Sequence, residues 1–212
     1  MQKDMRELPL RERKKLRTRQ ALVDTALELF TAQDFTTVTL DEIVDAVEVS
    51  KRTFFRTFSS KEDVALAPEK ELWAAYLTDI ESRPLTGEHL LGAYKDALFT
   101  ALEQMADGWE RRFLASRSLA DRTPALTAHS LRHCSEVSAD VVRIMAERLA
   151  GQSPNDIELR LLLDLMLAAW HRALETWTSS DAVQQDRTAL IQHTRKAFAA
   201  IPAVAVLAAQ DG

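Results

Sequence analysis

The 212-residue chain has one cysteine, Cys134. No intramolecular disulfide can form, so the fold must rest on a buried core, as suits a reducing cytoplasm. There are only five glycines and six prolines. So little turn punctuation argues against a strand-rich fold with frequent tight turns. No apolar run reaches the roughly 18–20 residues of a membrane span. The longest, Leu161–Trp170, is broken by Asp164. The opening MQKDMRELPLRERKK lacks the apolar core of a signal peptide, so a cytoplasmic protein with no membrane partner is expected. A glycine-rich phosphate loop and a nucleophile–base signature are also missing. Neither an enzyme nor a cofactor is expected.

What is present points to helices. Hydrophobic residues make up 46% and charged ones 28%, enough apolar material for a real core. Runs rich in Ala, Leu, Glu and Arg favour the helical state. The net charge of −5 is unevenly spread. Residues 1–61 hold 12 Lys/Arg against 10 Asp/Glu, whereas residues 62–212 hold 15 against 22. Leu10–Arg19, LRERKKLRTR, has six cations and one glutamate. Such a run is either a solvated helix face or a surface for phosphate.

Periodicity gives an all-α chain of about nine helices, with residues 1–9 as a loose arm. The first helix spans about Leu10–Gln33 and the second starts at Thr39, where TLDE forms a capping box. After the turn Glu48-Val49, Ser50 caps a helix over Lys51–Phe58, and Ser60 caps one running on to about Ile80. Pro84 and Gly87 mark a break. Five more helices are expected at about Glu88–Ala106, Trp109–Ala120, Pro124 to Gly151, Pro154–Trp177 and Ala182–Ile201, the last stopping at Pro202.

Residues 39–58 have the layout of a helix-turn-helix, whose second helix enters the DNA major groove. Phe54 and Phe58 are four apart and share a face that can pack on Val44, Val47, Leu29 and Phe30. At 100° per residue, Arg52 and Arg56 project about 160–200° away from Phe54. The phenylalanines therefore read as anchors and the cations as outward contacts. Ser50 leaves a helix N-terminus that suits a phosphate. Lys51, Arg52 and Thr53 occupy the turn that reaches base edges, and Lys61 is placed for a phosphate. The candidate DNA contacts are Thr39, Ser50, Lys51, Arg52, Thr53, Phe55, Arg56, Thr57 and Lys61.

Ala21–Val64 resembles the N-terminal domain of the tetracycline-repressor (TetR) family. The matching features are Ala26/Leu29/Phe30, the connector Thr36–Thr39, Ile43-Val44, Val49-Ser50, Phe54-Phe55 with Phe58, and Ser60-Lys61-Glu62. The resemblance implies a homodimeric transcriptional regulator, a repressor released from double-stranded operator DNA by a small molecule. It divides the chain into a DNA-binding domain at 10–64 and a ligand-binding and dimerisation domain at 65–205. By position, Ser50, Lys51, Arg52, Thr53, Phe55, Thr57 and Lys61 correspond to family DNA contacts. The family often has glycine where Asp34 and Glu48 stand, at turns that favour positive φ, and tyrosine where Phe55 stands.

The segment Ile157–Trp177 is apolar nearly all round, with Arg160, Asp164, His171 and Glu175 as a narrow polar stripe. Its Leu162, Met166, Ala169, Ala173 and Trp177 lie opposite. It and the last helix are expected to pair with their copies in a two-fold, four-helix interface. The alternative is a core helix with a solvated stripe. The ligand is unknown. Trp73, Tyr94, Phe113, Met166 and Trp170 are the pocket candidates, with Phe99, Met145, His129, His133 and Asp164 behind them. His129 and His133 are four apart, but Cys134 points off their face and HSLRH lacks the zinc-protease acid, so no metal is expected. Two other readings stay open: a DNA-binding protein controlled by a protein partner, and a helical module whose basic hairpin binds an acidic protein.

Overall fold

A computed structural model describes residues 9–85, 90–149, 153–179 and 185–208, with side chains to 204. The arm before Pro9, the Gly87 break, the start at Glu88, the Gly151 stop and the start at Ala182 lie outside these residues. The described residues form ten helices and no strand: α1 Leu10–Gln33, α2 Leu40–Ala46, α3 Lys51–Phe55, α4 Lys61–Ala65, α5 Ala67–Ser82, α6 Leu90–Gln104, α7 Trp109–Arg122, α8 Pro124–Arg148, α9 Ile157–Thr178 and α10 Arg187–Ala208.

Three boundaries differ from those expected, each for a reason in the backbone. The helix expected from Ser60 to about Ile80 is two helices. Pro68 has no N–H to continue the ladder, and α4 closes at Leu66, whose N–H bonds the Glu62 and Val64 carbonyls. The helix expected to end at Phe58 stops at Phe55. Beyond it the chain tightens, with Thr57 N–H on the Phe54 carbonyl at 2.7 Å. The last helix does not stop at Pro202 but carries it internally.

The chain divides into two compact units. The first is the chain up to Glu71 with Ala106–Cys134, so it takes in α7 and the start of α8 as well as the helix-turn-helix. Its core combines Leu22, Val23, Ala26, Leu27 and Phe30 of α1 with Ile43, Val44, Phe54, Phe58 and Val64, and with Leu119, Ala120 and Leu126. Polar ties inside this unit explain why α7 belongs to it. The Trp109 indole donates to the Pro68 carbonyl at 2.9 Å, and the Ser116 hydroxyl to the Ala65 carbonyl at 2.6 Å. Both bonds are buried, where an unmade hydrogen bond would be costly.

The second unit is Leu72–Met105 with the chain from Ser135. Here α9 packs along α10 and against α6. Leu159, Leu163, Met166, Trp170, Ala173 and Trp177 form its buried stripe. The Trp177 indole donates to the Asp186 carbonyl at 3.0 Å, tying the end of α9 to the start of α10, and Arg187 donates to the Met105 carbonyl at 2.6 Å, tying α10 to the end of α6.

The capping pattern around the helix-turn-helix is as expected. Glu42 accepts from Thr39 N–H at 2.6 Å while Thr39 Oγ1 accepts from Glu42 N–H at 3.3 Å. The bond from the Thr39 backbone holds the Glu42 carboxyl below its ordinary pKa. Ser50 and Ser60 cap α3 and α4, each accepting from the third residue on at 3.2 Å. The third-position acid of α4 works one residue earlier than Ser60: Asp63 accepts from the Ser59 amide at 2.8 Å and pairs with Lys70 at 2.6 Å.

Among the described residues, the non-glycine positions with positive φ are Asp34, at 77°, and Glu48, at 55°. These are the two sites where the family favours glycine. After α2, Glu48 N–H bonds Asp45 and Val49 N–H bonds Val44 at 2.9 Å, a complete Schellman stop with Glu48 in the glycine position. Asp34 offsets its strain by accepting from Phe35 N–H at 2.7 Å; Glu48 has no comparable bond. Glu48→Gly is therefore expected to raise stability by about 1 kcal/mol. Asp34→Gly should gain less, because it deletes that hydrogen bond. Urea unfolding of both variants measures this, and a loss of stability in Glu48→Gly would contradict it.

Candidate DNA-binding interface

Helix α3 is only five residues long and cannot hold itself together, since isolated helices below about 12–15 residues are marginal. Two phenylalanines fix it. Phe54 is fully buried and Phe58 is 2% exposed, with their rings 5.7 Å apart in the core shared by α1 and α2. Phe55, one position on, is 56% exposed, its edge set against Phe54 at 5.5 Å. The Arg19 guanidinium of α1 lies over the Phe58 ring at 4.6 Å.

With Phe54 inward, Arg52 and Arg56 lie exposed on the opposite side, and Lys51 and Phe55 are exposed on its flanks. At 100° per residue these four span about 140° of the helix. Lys51 pairs with Asp41 of α2 at 2.7 Å, an exposed contact of the sort that contributes little and yields readily to a phosphate. Among the described residues, Arg52 and Arg56 carry no ion pair.

The hydroxyl-bearing candidates are largely occupied by the backbone. Ser50 Oγ caps α3 and lies 3.1 Å from Thr53 Oγ1. Thr57 donates to the Thr53 carbonyl at 3.1 Å, and Thr39 is held in its capping box. Each residue is exposed or half-exposed, and Thr39 and Ser50 shape the two helix starts.

Lys61 departs most from its expected role. Its ammonium donates to the carbonyls of Phe35 at 2.6 Å and Val38 at 2.7 Å, and sits 4.4 Å from the Phe35 ring centre. An ammonium has three donors, so at most one is left for a phosphate. Lys61 first ties α4 to the connector between α1 and α2.

The candidate contacts named from the sequence leave out a second basic element. Arg11, Lys14, Lys15 and Thr18 of α1 line an open groove together with Arg56 and Thr57. The signal was the cation run Leu10–Arg19; what one helix alone could not show is that the run faces the end of α3.

The pocket candidates divide. Trp73, Tyr94, Met166 and Trp170 are all buried in the second unit, with Trp73 edge-on to Trp170 at 6.3 Å. Phe113 does not join them; it belongs to the first unit, stacked on Trp109 at 4.6 Å. Phe99 packs on Phe198 at 6.2 Å under Arg195. Met145 is buried and Asp164 exposed. His129 has Lys70 at 3.3 Å from one ring nitrogen and Arg132 at 2.9 Å from the other. Burial and these two cations lower its pKa, an environment that repels a metal cation as it repels a proton.

Residues 22–67 match the model of the bacterial regulatory proteins of the tetR family, and residues 88–204 match that of the MftR C-terminal domain. Over 173 residues the chain is 38% identical to the HTH-type transcriptional regulator TcmR of Streptomyces glaucescens, covering 79% of this chain and 76% of that protein. The chain belongs to the TetR family. It is a DNA-binding transcriptional regulator. A second TetR-type relative is MftR of Mycobacterium tuberculosis, assigned to mycofactocin biosynthesis regulation, 27% identical over 177 residues, 81% of this chain and 85% of that one. TetR regulators bind operator DNA and dimerise. No described helix is long and apolar enough to cross a membrane. The family match starts at residue 22, so the cation run of α1 lies ahead of it.

This division of labour between neighbouring phenylalanines can be measured. Phe54→Ala is expected to cost about 3–5 kcal/mol and to unfold the first unit. Phe55→Ala is expected to change stability by no more than about 0.5 kcal/mol while weakening DNA binding. Denaturant unfolding alongside duplex-binding titration separates the two; equal destabilisation would refute the assignment.

Proposed function

We propose that the chain is a cytoplasmic, homodimeric repressor that leaves its operator when a small molecule binds the second unit. The observation that carries the DNA half is the exposed face of α3, with Lys51, Arg52, Phe55 and Arg56 set on a buried phenylalanine anchor. Arg52 is the base-reading candidate, because a free guanidinium in the first turn can bond a guanine edge with two donors. Ser50, Thr53, Arg56 and Thr57 are the adjoining contacts, with Thr39 and the last donor of Lys61 at the margin. Arg11, Lys14 and Lys15 neutralise the flanking phosphates.

For the dimer, α9 supplies the argument. Ile157, Leu161 and Leu165 are 64%, 54% and 39% exposed on one stripe, beside Arg160 and Asp164. Three aliphatic side chains on one helix face need cover, and a second copy of α9 and α10 provides it by two-fold symmetry. For the ligand, Trp73, Tyr94, Met166 and Trp170 are the lining residues. Functionally the DNA-binding part is residues 10–64 and the ligand and dimer part 65–205. The ligand acts by binding the operator-incompetent state more tightly than the competent one.

Selection from random duplexes tests the operator claim: a single two-fold motif is expected, and enrichment of no sequence would sink it. Arg52→Ala should relax preference at one base position, whereas Lys14→Ala with Lys15→Ala should leave the preferred sequence intact. The double variant should instead flatten the dependence of log affinity on log salt by roughly 1 for each phosphate it no longer neutralises. Leu161→Glu is expected to shift the protein to monomer in light scattering at micromolar concentration without unfolding it. A persistent dimer would place the interface elsewhere.

A further inference from the structure

The second unit carries an open groove between α6 and α10. Its volume is about 740 Å³, within the range of small-molecule sites, and it shares no lining residue with the buried Trp73, Tyr94, Met166 and Trp170. The Phe99 and Phe198 rings, 6.2 Å apart, lie at its middle. Arg187 on the Met105 carbonyl at one level and Phe198 on Phe99 at another set the two helices antiparallel. Leu91 and Gly92 of α6 therefore stand opposite Ile201 and Pro202 of α10 at one end of the groove, and Arg195, Thr100 and Glu103 lie toward the other. Lys95 and Asp96 line its side and pair with each other at 3.4 Å. The strip is thus apolar at its Gly92 end and polar at its Arg195 end. From Leu91 to Phe99 it follows about 12 Å of helix.

Two features of this groove have no explanation in the fold. The first is Gly92. Its φ is not positive, and a Cβ added there would meet no described atom within 4 Å. Neither a turn nor a close neighbour asks for glycine, and alanine would favour the helix. What a side chain at 92 would take up is space in the groove, so glycine keeps the backbone open to an occupant. The second is Arg195. Its guanidinium lies over the Phe99 ring at 5.5 Å and, among the described residues, has no ion pair. Thr100, on the facing wall, accepts from Arg83 at 2.7 Å, which leaves its own O–H to donate. The acids of the groove are placed differently. Asp96 is met by Lys95, and Glu103 is exposed one turn beyond Phe99. An amine laid on the phenylalanines would meet the Arg195 charge; a carboxylate would pair with it.

We infer that the α6–α10 groove is a binding site for an amphipathic carboxylate of medium length, such as a medium-chain fatty acid. The carboxylate sits on Arg195, with Thr100 as a second donor, and the apolar chain runs over Phe99 and Phe198 to the open backbone at Gly92. Charge-assisted hydrogen bonds hold the head, and burial of the chain supplies the apolar part of the affinity. This site is additional to the buried aromatic residues named above and does not depend on the repressor reading.

The test uses the full chain and three probes of one chain length: octanoate, 1-octanol and octylamine, titrated by calorimetry. The wild type is expected to bind octanoate at least about tenfold more tightly than either of the others. Arg195→Gln should erase the preference over octanol while leaving octanol binding unchanged. Gly92→Leu should weaken octanoate and octanol alike by at least about tenfold, because its side chain fills the apolar end. The melting temperature of unliganded Gly92→Leu should stay equal or rise, since no described atom stands in the way. No binding of octanoate, tighter binding of octylamine, a preference that survives Arg195→Gln, or unchanged binding in Gly92→Leu would overturn the assignment. So would a fall of several degrees in the melting temperature of Gly92→Leu, which would show the glycine serving the fold. Failure of the repressor reading looks different: octanoate would bind as expected, but no duplex would be selected.

Discussion

The structure depends on the burial of Phe54 and Phe58. A five-residue helix has almost no stability of its own, yet α3 must hold its cations at fixed angles to be read by a DNA groove. Inserting two aromatic rings into the core of α1 and α2 converts that short helix into a rigid part of the first unit. Direction follows from the anchor. Once Phe54 points in, helical geometry sends Arg52 and Arg56 out together. The Arg19 guanidinium over Phe58 and the Lys61 ammonium against Phe35 add cationic contacts around the same hydrophobic centre. Phe54 and Phe58 are buried, so they aim the helix rather than reach out from it.

Around that anchor the local rules agree with the global fold. A capping box opens α2, serine caps open α3 and α4, and a Schellman stop closes α2. The exceptions are Asp34 and Glu48, held at positive φ without being glycine. Both turns set how α1, α2 and α3 meet, so their backbone geometry is imposed by the buried contacts on either side. The surrounding core over-determines these turns and keeps the strain in place.

Much of this is legible in the sequence because it is local. Caps, the inward phenylalanines and the outward arginines each follow from spacings of three or four residues, while the two strained turns are implied by the resemblance to the TetR family. What is not legible depends on chain folding over long separations. Lys61 reads as a free cation until the carbonyls of Phe35 and Val38, 26 and 23 residues away, come within reach of it. Phe113 reads like any large pocket residue, but Trp109 and the bonds from α7 to Pro68 and Ala65 draw it into the first unit. The basic groove needs α1 and the end of α3 side by side. Pro68 is different: its missing N–H is plain in the sequence and is reason enough to divide α4 from α5.

The central claim is that one anchored helix face, extended by the basic start of α1, meets the operator. Hydrogen–deuterium exchange of the full chain with and without its selected duplex tests this most directly. The account predicts that slowed exchange concentrates in residues 10–19 and 50–57. Slowing confined to other helices, with 50–57 unchanged at saturating duplex, would contradict it.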